Sequence, residues 1–110
     1  MTELPPLPYI EHLRGPAPEF VELVEAVRAR ALYTPGALDV KTKLLLAFAL
    51  DVARGREAGA RQLAQRARAA GATDAELVEV LQVLYSVGGM QQLSLGVPAL
   101  DSPPAGSSAG

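Results

Sequence analysis

Five arginines lie within fifteen residues of this chain and are opposed there only by Glu57: Arg54, Arg56, Arg61, Arg66 and Arg68. A guanidinium group presents a planar fork of N–H donors, which suits a carboxylate through two parallel hydrogen bonds. One or two of these arginines are therefore candidates for binding an anionic ligand. The alternative is a solvated helix face with salt bridges to neighbouring subunits. A site is expected at Arg54-Gly55, where two predicted helices meet.

Other reactive groups are scarce. The sequence has no cysteine, which excludes thiol redox chemistry, disulfides and thiolate metal sites. Its one histidine, His12, excludes a histidine-based metal cluster. We therefore expect neither a metal nor a cofactor. His12 lies in a proline-rich segment, where a surface role and a catalytic role are both open.

Composition limits the classes of function. A chain of 110 residues forms at most one domain. Its net charge of −2 provides no general attraction for nucleic acid or membrane. Hydrophobic residues make up 49% of the chain, an excess that favours burial between subunits over a compact monomer. No signal peptide is visible and the longest apolar run, 44–50, is too short to span a bilayer, so a cytoplasmic location is predicted.

Hydrophobic spacing and chain breakers predict an all-α domain over residues 16–98. It follows an irregular N-terminal arm (1–15) and precedes a disordered tail (99–110) that is rich in proline, glycine, serine and alanine. About five helices are expected, packed as a helical hairpin with flanking helices. The first, 18–32, carries an apolar stripe predicted to face inward, formed by Phe20, Leu23, Val24, Val27 and Ala31.

The central helices form the predicted hairpin. Asp39 is the expected N-cap of a long helix that is apolar on nearly all sides from Leu44 to Val52 and should be buried on more than one side. Asp51 interrupts this run and could pair with Arg54 three residues on or serve as a functional carboxylate near the junction. The next helix, 56–70, contains Gly59, which must be offset by a close helix contact or by a ligand that needs room.

Two further helices complete the domain. Thr73-Asp74-Ala75-Glu76 is a capping box that begins a helix. Four residues of that helix form its predicted buried face, and three valines widen it: Leu77, Val80, Leu81 and Leu84, with Val78, Val83 and Val87. Gly88-Gly89 ends it, and a short last helix is predicted from about Met90 to Leu95.

The chain contains two segments at a fixed distance from each other, TPGALDVKTKLLLAFALDVARGRE (34–57) and ARAAGATDAELVEVLQVLYSVGG (67–89). Together they resemble the carboxymuconolactone decarboxylase family, which includes the alkylhydroperoxidase D-like (AhpD-like) proteins. The resemblance implies an AhpD-like helical domain that assembles with itself as a trimer or hexamer. The resemblance covers about residues 33–98. The chain is more similar to the cysteine-less decarboxylase branch of the family than to the AhpD-like branch.

This sequence lacks the reactive residues of the AhpD-like branch. That branch has a glutamate in the long helix and a C-x-x-C-x-x-x-H run at the junction. Counted back from Gly71 without gaps, the glutamate falls on Leu44, the cysteines on Arg56 and Gly59, and the histidine on Leu63. A dithiol peroxidase needs one thiolate to attack peroxide and a second thiol to resolve the product, so that activity is excluded by this route.

The decarboxylase branch resembles the chain through Gly55-Arg56-Glu57. The resemblance implies that Arg56, with Gly55 and Gly59, binds a small carboxylated ligand and that Glu57, or His12 from a neighbouring subunit, moves a proton. The histidine of that branch again falls on Leu63, which cannot transfer a proton. The structural alternative makes Gly55 a turn glycine and Arg56 and Glu57 an exposed pair.

Two classes of function remain. One is a decarboxylase-like or lactone-processing protein that binds a small acid near Arg56. The other is a non-catalytic helical oligomer, a possible pseudoenzyme that serves as an assembly or protein-interaction unit. A polar cavity beside Arg56 would favour the first class, whereas filling of that space by Leu44, Phe48 and Leu63 would favour the second.

Overall fold

A computed structural model describes residues 4–100, and this part of the chain contains six helices and no strand. The all-α prediction is confirmed. The described part of the chain divides into two compact units, one that ends at Val40 and one that begins at Lys41. The helices are α1 (Pro8–Glu11), α2 (Pro18–Leu32), α3 (Val40–Ala53), α4 (Glu57–Ala69), α5 (Asp74–Gly88) and α6 (Met90–Leu100).

The first unit pairs the N-terminal segment with α2. The Arg28 guanidinium donates to the Pro5 carbonyl over 2.8 Å and to the Glu25 carboxylate over 2.7 Å, and Ile10 is buried. The segment predicted to be irregular therefore contains a single helical turn, α1. Pro8 is tolerated there because the first helical turn needs no backbone donor.

The prediction that the apolar stripe of α2 faces inward is wrong. Val21 is the buried residue of this helix, whereas Phe20, Leu23 and Val27 are more than half exposed. Periodicity identifies which residues share a helix face, but it does not say whether that face meets the same chain or something outside it. The exposed stripe leaves α2 with an apolar face that its own unit does not cover.

The second unit holds most of the core. Leu44, Phe48 and Val52 of α3 are spaced four residues apart and are fully buried, with exposures of 1%, 0% and 1%. The prediction that α3 is buried on more than one side is not met within a single chain at Leu46 and Leu50, since Leu50 is 61% exposed. A 3.6-residue repeat places positions 46 and 50 on another face from 44 and 48.

Helix α6 packs against α5 and α4. The buried residues of α4 are all alanines (60, 64 and 67), and α6 contributes Gly96 and Ala99. These small residues leave little side-chain volume between helices and permit a short distance between their axes. Leu77 and Leu81 of α5 complete the core, as predicted, but Val78, Val83 and Val87 are exposed.

The predicted capping box begins α5. The Glu76 N–H donates to Thr73 Oγ1 over 3.1 Å, and the Thr73 N–H donates to Glu76 Oε1 over 2.9 Å. Lys41 Nζ donates to the other carboxylate oxygen, Oε2, over 2.9 Å. Glu76 therefore connects the start of α3 to the start of α5, in addition to satisfying a free backbone donor.

Glu76 should make stability depend on pH in acid. The hydrogen bond from Lys41, followed by that from the Thr73 backbone, lowers the pKa of Glu76 below its ordinary value. The unfolded chain then binds the proton more readily, so this contribution is complete above about pH 4.5 and is lost as pH falls through the lower folded pKa. We expect Glu76→Gln to lose less stability than wild type between about pH 6 and pH 3, measured by urea unfolding.

The matched control is Glu79→Gln on the same helix, because Glu79 has no ion-pair partner within the described residues. Its pH dependence should match that of wild type. Equal slopes for wild type and Glu76→Gln would contradict a role for this carboxylate.

Helix α6 extends beyond the predicted end at Leu95 and includes Pro98. The Arg68 guanidinium donates to the Leu100 carbonyl over 3.0 Å and to Asp74 over 2.9 Å, which holds the last turn despite the missing proline donor. Residues 99 and 100, assigned to the tail from sequence, are therefore helical, and the rest of that predicted tail lies outside the described residues. Within the described part, none of the helices has the length and apolar character needed to cross a membrane.

Candidate functional site: the junction between α3 and α4

The junction is a tight turn closed by backbone hydrogen bonds. The Arg56 N–H donates to the Asp51 carbonyl over 2.8 Å, and the Gly55 N–H donates to the Val52 carbonyl over 3.1 Å. Gly55 has φ +75°, in the left-handed region where a side chain would be strained. Gly55 therefore fits the structural alternative of a turn glycine.

Arg56 is the N-cap residue of α4 and makes no side-chain capping bond. Its neighbour Glu57 lies in the first turn, where the carboxylate accepts from Arg61 Nη2 over 2.8 Å. Both partners are on the helix surface, so this pair contributes little to stability. Glu57 is thus engaged with Arg61, one turn further along α4, and not with Arg56.

The arginines of the chain differ in whether they have acidic partners. Arg14, Arg28, Arg61 and Arg68 each pair with a carboxylate within 2.9 Å. Among residues 4–100, Arg54, Arg56 and Arg66 have no such partner. Two of these three, Arg54 and Arg56, are exposed at the junction, which leaves two guanidinium groups there available to an anion.

The contact with the Asp51 side chain explains why position 59 is a glycine. A Cβ built at position 59 would overlap Asp51 Oδ2 and lie 3.1 Å from Asp51 Cγ. The carboxylate therefore occupies the space that a side chain at position 59 would need, and a close approach of α3 to α4 offsets the low helix propensity of glycine. A negative group beside the first turn of α4 also complements the helix dipole.

Asp51 does not form the predicted pair with Arg54. Within the described residues, its half-buried carboxylate makes neither a hydrogen bond nor an ion pair. Sequence spacing indicated the local partner, but the chain turns at Gly55 and brings Gly59 alongside instead. Only the geometry of the turn reveals that contact, because positions 51 and 59 lie on different helices.

Two of the four positions at which the AhpD-like branch has its glutamate, cysteines and histidine are apolar here, Leu44 and Leu63, and Phe48 lies one turn from Leu44. Leu44 and Phe48 are fully buried, and Leu63 is half-buried. A buried leucine offers no group for proton transfer, so the chemistry of the junction is limited to its polar rim. That rim consists of Asp51, Arg54 and Arg56.

One buried polar residue was missed in the sequence analysis. Gln92 is 7% exposed, and within residues 4–100 its Oε1 has no hydrogen-bond partner. It shares a face of α6 with the buried Gly96 and Ala99, at spacings of four and three residues. That spacing could have indicated burial, although the polarity of glutamine suggests a surface position.

The first unit contains His12 and an open groove of about 580 Å³. The groove is lined partly by Glu11, Arg14, Glu22 and Glu25 and contains no residue of the junction. Arg14 donates to both oxygens of Glu11, and this bond is the main reason that the pKa of Glu11 is lowered. His12 is exposed just after α1. Residues 4–100 contain no cluster of acidic or histidine side chains suited to a metal ion.

These features define an all-α domain without cysteine, whose helical junction presents arginines beside a carboxylate. The sequence profile of the carboxymuconolactone decarboxylase family matches residues 18–102. The chain belongs to this family, which confirms the resemblance seen in the sequence.

A solved structure supports the same assignment. The crystal structure of apo-lpg0406, a carboxymuconolactone decarboxylase family protein from Legionella pneumophila, is similar to this chain with a TM-score of 0.77 and 31% sequence identity. The similarity covers 86% of this chain and 83% of that chain. No curated protein matches the sequence.

Proposed function

We propose that this protein binds a small carboxylated ligand at the junction between α3 and α4, with Arg56 as the principal anion-binding residue. The observation that carries the proposal is the unequal use of arginine: Arg14, Arg28, Arg61 and Arg68 pair with carboxylates, whereas the exposed guanidinium groups of Arg54 and Arg56 have no acidic partner within residues 4–100. A ligand carboxylate would supply the missing partner.

Local backbone geometry supports the proposal. Arg56 precedes the first turn of α4, whose N–H groups have no intrahelical partners and receive no side-chain cap from Arg56. The partial positive charge at that end of the helix adds to the charge of the guanidinium. Gly55 holds Arg56 at this position through its left-handed backbone.

The proposal is limited to binding at the exposed rim of the junction. Leu44 and Phe48 are fully buried and the groove of the first unit contains no junction residue, which is the arrangement expected for the non-catalytic class. Glu57, the candidate proton carrier, is held by Arg61, and Leu63 stands where the family resemblance implies a histidine. Dithiol peroxidase activity is absent from the proposed function because the sequence has no cysteine to form the attacking thiolate. A decarboxylase would require a proton carrier other than Glu57 in this arrangement.

Arg56→Ala should abolish the thermal stabilisation produced by small mono- and dicarboxylates. A ligand that binds only the folded state at about 100 times its Kd stabilises by about 2.7 kcal/mol, which thermal shift detects. The matched control is Arg66→Ala, because Arg66 also lacks an acidic partner within the described residues but lies about 15 Å along the same helix.

Arg66→Ala should keep the ligand-induced shift. A shift that survives Arg56→Ala would place the acid elsewhere. If none of the acids, including a muconolactone, stabilises wild type, the proposal is wrong.

A second candidate function, a helical oligomer that acts as an assembly unit, is supported by exposed apolar surface. The side chains concerned are at least half exposed on three helices: Phe20, Leu23 and Val27 on α2, Leu46 and Leu50 on α3, and Val83 and Val87 on α5. Apolar surface of this extent is typical of an interface. Self-association as a trimer or hexamer, which the family resemblance implies, would cover it.

Light scattering should therefore give a mass of at least three chains. Val87 is 83% exposed, so the mass of the Val87→Lys variant tests whether the α5 surface takes part in the assembly, without a change to the core. A monomer at every concentration tested would contradict the assembly.

A further inference from the structure

We propose that the junction recognises a small zwitterion, with the ligand carboxylate bound by Arg56 and the ligand ammonium bound by Asp51. This inference rests on the proposed anion site and adds a second recognition point to it. The family resemblance assigns Asp51 no role, and the sequence left open whether it pairs with Arg54 or serves as a functional carboxylate. The structure places it instead against the first turn of α4.

Two contacts bring Asp51 and Arg56 together. The Asp51 carbonyl accepts the Arg56 N–H over 2.8 Å, so the two backbones adjoin. The Asp51 carboxylate lies against Gly59, three residues after Arg56 and thus about 4.5 Å further along the helix axis. The Asp51 carboxylate therefore lies within one turn of α4 from the backbone of Arg56.

The Asp51 carboxylate is chemically available. It is half-buried against Gly59, yet within residues 4–100 it accepts no hydrogen bond. Partial removal of a charged group from water without a compensating donor is unfavourable. An ammonium group on a ligand would satisfy this carboxylate through a charge-assisted hydrogen bond.

The alternative acid at the junction does not fit this role. Glu57 already accepts from Arg61 over 2.8 Å, so a ligand would have to displace that pair. Asp51 has no such competitor among the described residues. Because the Asp51 carboxylate and the Arg56 backbone lie within one turn of α4, the ligand we propose is small, with its carboxylate and ammonium separated by one to three carbons.

Calorimetric titration with three matched acids tests the inference on wild type. The probes are propionate, 3-hydroxypropionate and β-alanine, which differ only in the group at the third carbon. We expect β-alanine to bind about tenfold more tightly than propionate, with the hydroxy acid between them, because two charge-assisted contacts replace one. The Gly59 amide resonance in NMR spectra should shift on binding, since Gly59 contacts Asp51.

Variants separate the two recognition points. Asp51→Asn, which keeps the side-chain shape beside Gly59, should reduce β-alanine affinity to that of propionate and leave propionate unchanged. Arg56→Ala should abolish binding of all three acids. Glu79→Gln on α5 removes an unpaired carboxylate away from the junction and should change nothing.

Each contrary outcome is distinct. Equal binding of propionate and β-alanine, with both lost in Arg56→Ala, overturns the zwitterion inference and keeps the anion site. Equal binding of β-alanine and 3-hydroxypropionate overturns the ammonium assignment. Failure of all three acids to bind wild type overturns the zwitterion inference, whereas the anion site is overturned only if the wider panel of mono- and dicarboxylates also fails, and the comparison on wild type needs no variant to fold.

Discussion

Leu44→Glu should destabilise the folded protein by about 3–5 kcal/mol at pH 7, even though it restores the glutamate expected in the AhpD-like branch. Leu44 is 1% exposed and lies one helical turn from Phe48, which is fully buried. A glutamate there would lose its hydration without a partner prepared to replace it. Urea unfolding would measure the loss.

The pH dependence of this variant separates charge from packing. Burial raises the pKa of a carboxyl group, so the folded variant binds its proton more readily than the unfolded chain. Its stability should therefore fall as pH rises above about 4.3 and recover in part toward acid. Leu44→Met, which conserves volume and polarity, should cost less than about 1.5 kcal/mol and show no such dependence.

A tolerated glutamate would reverse the interpretation of the junction. If Leu44→Glu were as stable as wild type at neutral pH, position 44 would have to reach water or a polar group, as an active site built around a carboxyl requires. A large loss would mean that the inner side of the junction is core. Function would then be confined to the rim formed by Asp51, Arg54 and Arg56.

Local signals in the sequence predicted the helices well. Pro18 and the capping box at Thr73-Glu76 act within one turn of chain, so the starts of α2 and α5 lie where the sequence placed them. The end of α6 does not lie where the sequence placed it, because Arg68 of α4 donates a hydrogen bond to the Leu100 carbonyl. Such a contact has no local signature.

The candidate site shows the same division between local and distant contacts. Gly59 was correctly expected to mark a close approach or a ligand, but its partner Asp51 depends on how α3 and α4 turn. The apolar stripe on α2 was recognised as a face, but its exposure was not predicted, since hydrophobic periodicity is the same for a core and for an interface.

Leu81→Ala should cost about 2–5 kcal/mol of unfolding free energy. Leu81 is buried where α5 meets α6, and its side chain fills the space beside Gly96: a Cβ at position 96 would overlap Leu81 Cδ2 and lie 3.3 Å from Cδ1. Truncation would leave a cavity that the small residues of α6 cannot fill. Denaturant unfolding measures the effect, and Leu81→Met provides the volume-conserving control at a cost below about 1.5 kcal/mol.

Gly96→Ala provides the complementary test of the same contact. Alone, it should destabilise by about 1–3 kcal/mol through overpacking, despite the better helix propensity of alanine. In the Leu81→Ala background the added methyl group enters vacated space, so the two changes should couple favourably by about 0.5–3 kcal/mol. Additive effects would mean that Leu81 and Gly96 do not touch, and α5 and α6 would then pack on other faces than those described.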